Sequence, residues 1–277
     1  MSSIADAFAR CTADSRAALI PYFMAGYPSE ATFCRLVKSS FDNGADIVEV
    51  GIPFSDPVAD GPAIQVAGQI ALEAGMTIGR VFRLLASLGL TSSQPVAIMS
   101  YLNPILQFGL DRFMAEAAKV GVRGLIIPDL VFEEGETVES ACRAAGIDLV
   151  YLVAPTSPPN RVQAITQRSR GFVYAVSVLG VTGVRSAFPE NLLSRLGDLK
   201  KVSPVPVVVG FGIGTPEAAA RAAGVADGVV VGSALIEQIK SHSLEEDQVW
   251  SVTDLLCQIR DAIKVKSTAT DITRCQS

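Results

Sequence analysis

Eight short apolar runs, each followed by a stretch with helical spacing, restrict the fold of this chain more than any other feature. They are Ala18–Ala25, Asp46–Gly51, Val96–Tyr101, Gly124–Pro128, Leu149–Val153, Phe172–Ser177, Pro206–Gly210 and Gly228–Val231. They read as near-continuous Val, Ile and Leu segments rather than as alternating apolar and polar residues. Strands buried on both faces of a parallel sheet have that pattern. Strands alternating with helices indicate a parallel α/β architecture. Eight such units in 277 residues fit a (β/α)8 TIM barrel, which typically needs about 250 residues.

The helix signals agree. Ser29 is placed to N-cap a helix reaching Asp42, with Gly44 beyond it. Asp111–Val120 ends before Gly121, Glu134–Ala145 ends before Gly146, and Pro216 opens a helix that stops at Gly224. Two elements lie outside the eight units. Ile4–Cys11 reads as an extra N-terminal amphipathic helix that covers the open bottom of the barrel. Ser233–Ser241 reads as a short extra helix after strand 8, before a last helix over Val249–Lys264. No interdomain linker is visible, so residues 1–265 are expected to form a single barrel domain. The polar, Thr-rich stretch 266–277 is expected to be disordered.

Composition excludes several function classes. The net charge of −5 comes with no basic cluster, which argues against a nucleic-acid surface. Mean hydropathy is +0.37, yet no run of about 18 uncharged apolar residues occurs, so no membrane span is expected. The first ten residues lack a basic region followed by an apolar core, so no secretory leader is expected. Cys11, Cys34, Cys142, Cys257 and Cys275 match no zinc or redox spacing and read as reduced thiols of a cytoplasmic protein. The lone histidine, His242, reads as a surface residue, which leaves no Ser-His-Asp triad and no His-ligated metal site.

The chemistry concentrates in Glu49-Val50-Gly51-Ile52-Pro53-Phe54-Ser55-Asp56-Pro57-Val58-Ala59-Asp60-Gly61-Pro62. Glu49 ends an apolar strand, where burial raises a carboxyl's pKa and suits it to proton transfer near neutrality. Asp60 follows in a Gly/Pro-rich loop, expected to be more solvated, so the two acids would take different roles. Each has a plainer reading. Glu49 could pair with an arginine in the core. Asp56 and Asp60 could be turn residues beside Pro and Gly.

In a barrel, the site lies at the C-terminal strand ends. Tyr22, Tyr101, Tyr174 and Phe211 collect there, either as barrel packing or as an apolar slot for a flat aromatic ligand. Asn103 and Asp129 fall at the same level, Asp129 as a weak candidate acid. Gly183, Gly212 and Gly232 would let backbone approach a ligand closely. Ser233 would open the short extra helix, whose N-terminus favours an anion. Ordinary βα turns would also contain such glycines.

Ordered landmarks then carry a resemblance. They are Ile20-Pro21-Tyr22, Gly26-Tyr27-Pro28, the Glu49–Pro62 segment, Tyr101-Leu102-Asn103-Pro104, Gly180-Val181-Thr182-Gly183, Gly210-Phe211-Gly212-Ile213 and Val231-Gly232-Ser233-Ala234. From about Phe8 to Ile239 the chain closely resembles the tryptophan synthase alpha subunit family. The resemblance implies a lyase that cleaves indole-3-glycerol phosphate by a retro-aldol reaction to indole and glyceraldehyde 3-phosphate. It implies Glu49 as general acid–base and Asp60 as partner of the indole N–H. Tyr22, Tyr101, Ile126, Tyr174 and Phe211 would line the indole slot. Gly183, Gly212, Gly232 and Ser233 would cradle the phosphate, and Thr182 would lie on a lid over Gly180–Phe188 that reaches Asp60 on closing.

The resemblance further implies an alpha2beta2 complex with a beta subunit that receives the indole. The surfaces implied are Pro53–Asp60 and Asn103–Phe108. Pyridoxal phosphate is expected only in that partner, with no cofactor and no metal in this chain. Three departures stand out. Position 22 is Tyr where an enterobacterial-type sequence has Phe, position 4 is Ile rather than an aromatic seen in some members, and no family landmark follows His242.

A stand-alone indole-glycerol-phosphate lyase is the alternative, because the chemistry is shared. A Schiff-base aldolase fits poorly, since Lys38, Lys119, Lys200, Lys201, Lys240, Lys264 and Lys266 all miss the strand C-termini. A barrel that only binds indole compounds or activates a partner would not need the acid pair.

Overall fold

The computed structural model describes residues 4–154, 156–176, 190–210 and 212–264. Among these, the parallel strands are β1 (Ala18–Met24), β2 (Val48–Gly51), β3 (Val96–Met99), β4 (Val122–Ile126), β5 (Asp148–Val150), β6 (Leu152–Val153), β7 (Val173–Val176), β8 (Val207–Gly210) and β9 (Gly228–Val231). Their order is β5-β4-β3-β2-β1-β9-β8-β7-β6. β5 and β6 are one strand interrupted at Tyr151, so the sheet closes on itself. The backbone bonds across the break, Arg170 N–H to the Leu149 carbonyl and Tyr174 N–H to the Tyr151 carbonyl, are both 3.0 Å. The result is the expected eight-stranded barrel, and closure leaves no exposed edge.

The helices form the outer layer. They are α1 (Ile4–Ala13), α2 (Glu30–Asp42), α3 (Pro62–Glu73), α4 (Ile78–Leu88), α5 (Leu102–Phe108), α6 (Leu110–Lys119), α7 (Glu136–Ala145), α8 (Pro159–Arg168), α9 (Glu190–Val202), α10 (Pro216–Ala223), α11 (Ser233–Lys240) and α12 (Glu245–Ala262). Ser29 caps α2 as expected, accepting from the Thr32 N–H at 3.1 Å. α10 and α11 also occupy the expected stretches.

α1 closes the N-terminal end of the barrel. Ile4 is fully buried, and the tip of its side chain would lie 2.6 Å from a Cβ at Gly124. Phe8 reaches Gly228 at the start of β9 in the same way. Glycine in the middle of β4 and at the start of β9 makes room for the plug. Beside it, the buried Asp46 carboxylate accepts from both Arg16 terminal nitrogens, at 2.6 and 2.8 Å, and from the Leu19 N–H at 2.9 Å. Those bonds hold Asp46 in the turn before β2, which is why β2 begins at Val48 and not at Asp46.

Other boundaries also differ from expectation: β4 runs over Val122–Ile126 rather than Gly124–Pro128, and α7 begins at Glu136 rather than Glu134. α12 begins at Glu245 rather than Val249, because Glu245, Glu246 and Asp247 occupy its first turn. Acids there are favoured by the helix dipole. The fifth strand is interrupted at Tyr151, whose hydroxyl donates to the Glu139 carboxylate at 2.6 Å. The stretch 266–277 lies outside the described residues.

Candidate active site

β2 delivers Glu49 into the barrel at its C-terminal end. Residues 48–51 are all buried, and Glu49 is only 1% exposed. Its Oε2 has no hydrogen-bond partner. An arginine pairing, the plainer reading of this acid, is not present among the described residues. An unpaired carboxyl in such a place favours its neutral form. Burial first, and the nearby Asp60 charge second, push the Glu49 pKa up to about 8.

Asp60 departs from expectation. A Gly/Pro-rich loop predicts a solvated acid, but Asp60 is 5% exposed and its pKa is pushed up by burial to about 6. The cause is a fold of the loop back over the barrel mouth. The Tyr101 hydroxyl, at the end of β3, accepts from the Ala59 N–H at 3.0 Å, and the Gln65 side chain of α3 donates to the Asp60 carbonyl at 2.8 Å. A hydrogen bond with Tyr101 holds the Asp60 carboxyl down against the effect of burial. The two acids therefore keep distinct states in spite of shared burial. At neutral pH, Glu49 holds its proton and Asp60 is ionised, a separation that assigns acid and base within one site.

Both acids face one cleft with a free volume of about 460 Å³, counted out to its open mouth. Its other walls are Tyr22, Ile64, Met99, Tyr174, Gly212, Ile213, Val230, Gly232, Ser233 and Ala234. Of the residues expected to form an aromatic slot, Tyr22 and Tyr174 line this cleft. Tyr101 instead secures the Asp60 loop and stacks at 5.3 Å on Phe54. Ile126 is buried in β4, paired in register with Met99, which does line the cleft. Ile64, Met99, Ile213 and Val230 were missed in the sequence because isolated apolar residues in strands and helices carry no sign of which cavity they face.

Gly212, Gly232 and Ser233 line the same cleft. Gly212 has φ +95°, a left-handed conformation that a side chain would strain. Gly232 caps α11, and Ser233 begins it. The first N–H groups of that helix have no intrahelical acceptor and form a place for an anion. Loops after the last two barrel strands with a short added helix make the common phosphate site of such barrels.

The remaining candidates lie elsewhere. Asp56 is exposed and accepts from Ser55 at 2.5 Å, as a turn residue would. Asp129 accepts from the Leu102 N–H at 2.9 Å and so caps α5. Asn103 is exposed. His242 bonds the Gln238 carbonyl just past the end of α11 and does not line the cleft of the acids. Phe211, Thr182, Gly183 and the Gly180–Phe188 lid lie outside the described residues.

A parallel barrel with two buried acids of unequal acidity facing one cleft at the strand ends is the arrangement of a barrel enzyme. Comparison with known proteins gives the family. The family model described as "Tryptophan synthase alpha chain" matches residues 8–265. The tryptophan synthase alpha chain of Carboxydothermus hydrogenoformans is 47% identical over 252 residues, covering 90% of this chain and 94% of that one. The alpha chain of Geobacter sulfurreducens is 42% identical over 246 residues, covering 89% and 93%. Among solved structures, the alpha chain of Legionella pneumophila superposes with a TM-score of 0.88 at 34% identity, over 97% of this chain and 99% of that one. The tryptophan synthase of Mycobacterium tuberculosis gives a TM-score of 0.85 at 36% identity, over 96% and 100%.

The chain belongs to the tryptophan synthase alpha chain family, lyases of tryptophan biosynthesis. The match continues through α12, beyond the point near Ile239 where landmarks fade in the sequence. No helix among the described residues is long and apolar enough to cross a membrane.

Proposed function

We infer that this chain cleaves indole-3-glycerol phosphate to indole and glyceraldehyde 3-phosphate. The observation that carries the reading is the Glu49 carboxyl, its Oε2 without a partner, facing the same cleft as Asp60, with acidities pushed to about 8 and about 6. Protonated Glu49 donates to indole C3, which interrupts the ring's aromaticity and leaves positive charge shared with the ring nitrogen. Ionised Asp60 accepts the ring N–H and stabilises that charge. Glu49, now a carboxylate, takes the proton from the side-chain hydroxyl next to the ring. The carbon–carbon bond breaks, its electron pair restores the indole, and the hydroxyl carbon becomes the aldehyde. Glu49 ends protonated, ready for the next turnover. The reaction so drawn needs no cofactor and no metal in this chain.

Gly212, Gly232, Ser233 and the α11 N-terminus hold the phosphate, and Tyr22 and Tyr174 flank the indole. Gly183 completes the phosphate cradle, Phe211 the slot, and Thr182 the lid, as the family resemblance implies. Gly212→Asp introduces a negative charge and a side chain where φ is +95°. It is expected to raise KM for the phosphorylated substrate tenfold or more (at least ~1.4 kcal/mol) while leaving the affinity for free indole unchanged. Steady-state kinetics and an indole titration check this.

The product indole passes to a pyridoxal-phosphate beta subunit in the cytoplasm. The two surfaces implied by the resemblance carry exposed apolar side chains. Val58 is 80% exposed and Leu106 is 53% exposed. Apolar residues displayed in this way mark contact surfaces when they cluster. Val58→Asp with Leu106→Asp is expected to weaken assembly with the beta subunit at least tenfold, read by sedimentation, with the chain's own fold retained. The deciding experiment for the whole reading is indole release from indole-3-glycerol phosphate by the purified chain, alone and with a beta subunit. A large gain on adding the partner supports the subunit role. Equal rates support the stand-alone lyase. No release in either case overturns the assignment.

A further inference from the structure

Tyr22 carries a hydroxyl that the mechanism above leaves unused. Its side chain is 3% exposed and lines the cleft. Its register partner on β2 is Glu49. The ring root packs by Gly232, where an added Cβ would lie 3.5 Å from the Tyr22 Cβ. The other end crosses to β2, where the position of a Cβ on Gly51 falls on the phenol oxygen. Gly51 is two residues past Glu49 and so projects to the same face. The ring thus runs along the cleft from the phosphate corner to the two acids. Tyr174 on β7 lies over Gly210 of β8 in the same manner.

The Tyr22 hydroxyl makes no hydrogen bond to any described residue, and burial first, with the nearby Asp60 charge, keeps it firmly protonated. A buried phenol usually has a polar partner, and leaving one unmade is costly. In the open cleft water can serve as that partner, and a ligand that fills the cleft and displaces the water takes its place. At the acid end of the cleft, the substrate offers two polar groups. The ring N–H is a donor and belongs to Asp60. The hydroxyl beside the ring presents an oxygen that can accept.

Resting on the function proposed above, we propose that Tyr22 is a further catalytic residue, whose hydroxyl donates to the substrate oxygen that becomes the aldehyde carbonyl. As Glu49 removes that oxygen's proton, negative charge grows on it before the carbon–carbon bond has fully broken. A fixed donor at this place binds the transition state more tightly than the ground state, so its loss lowers kcat more than it raises KM. Gly51 serves the arrangement by leaving space for the phenol oxygen. Phenylalanine at this position would keep the ring and lose the donor.

The test is Tyr22→Phe, which removes one atom with no bond to the described protein and so spares the fold. Three quantities are measured: kcat and KM for indole-3-glycerol phosphate, and the Kd of indolylpropyl phosphate, which lacks both side-chain hydroxyls. The expected result is a loss in kcat of about tenfold or more, a KM within twofold, and an unchanged Kd for the deoxy analogue. A kcat within twofold of the parent overturns the proposal. So does an analogue Kd weakened by the same factor as kcat/KM, which would make Tyr22 a packing residue. A parent chain that releases no indole, alone or with a beta subunit, overturns the function and this inference together. An active parent with an equally active variant overturns this inference alone.

Discussion

Glu49→Gln is expected to reduce indole release by at least three orders of magnitude while improving the protein's stability at alkaline pH. General acid–base catalysis by one group contributes roughly 10² to 10⁴ in rate, and here the same carboxyl gives one proton and takes another. The amide does neither. Its volume matches, so affinity for a hydroxyl-free analogue is expected to stay within a few-fold. The stability effect has a definite sign. Glu49 has an ordinary value of 4.5 in the unfolded chain and about 8 in the folded one. Between these values the folded state binds more protons than the unfolded state, so the parent loses stability as pH rises from about 4.5 to about 8. Each unit of separation corresponds to about 1.4 kcal/mol. The glutamine variant has no such slope. Thermal melts at pH 5 and pH 8.5 are expected to show the variant gaining on the parent with rising pH. Parallel melting curves across that range would mean that Glu49 is not held neutral, and near-parental turnover would remove it from the chemistry.

How far these properties can be read without coordinates depends on the distance over which each is determined. The barrel is legible because its strands are local: Ile47-Val48-Glu49-Val50 is apolar on both faces whatever surrounds it, and an acid within it must be buried. Glu49 could therefore be singled out from its neighbours alone. Asp60 could not be placed correctly in that way. Its burial depends on the Tyr101 hydroxyl, from a strand end 42 positions away from Ala59 in the chain, and on Gln65 of the next helix. A Gly/Pro-rich loop looks solvated until those two contacts are known. The Tyr151 contact is likewise non-local, since its hydroxyl donates to Glu139 on a neighbouring helix. The start of α12 is a different case. Its three acids look like a loop by polarity, whereas the helix dipole makes them a favourable first turn.

The unforeseen burial of Asp60 has its own consequence for pH dependence. Asp60→Asn is expected to lower kcat/KM about 10²-fold (~2.7 kcal/mol), the scale seen when a group aimed at developing transition-state charge is removed. An amide still offers a carbonyl oxygen to the ring N–H, but no charge to oppose the cationic ring, so residual activity remains. In the parent, kcat/KM reports the free enzyme, whose acids titrate near 6 and near 8. Activity is therefore expected to rise through about pH 6 as Asp60 ionises and to fall through about pH 8 as Glu49 loses the proton it must donate. The acid limb in kcat should lie lower than in kcat/KM, because a bound N–H donor favours the ionised carboxylate. The asparagine variant should lose the acid limb and keep the alkaline one. That limb should itself move toward lower pH, since the Asp60 charge that helps keep Glu49 protonated is gone. An acid limb that survives in Asp60→Asn would place the low-pH titration on another group, and an unchanged kcat/KM would show that the cationic ring is stabilised elsewhere.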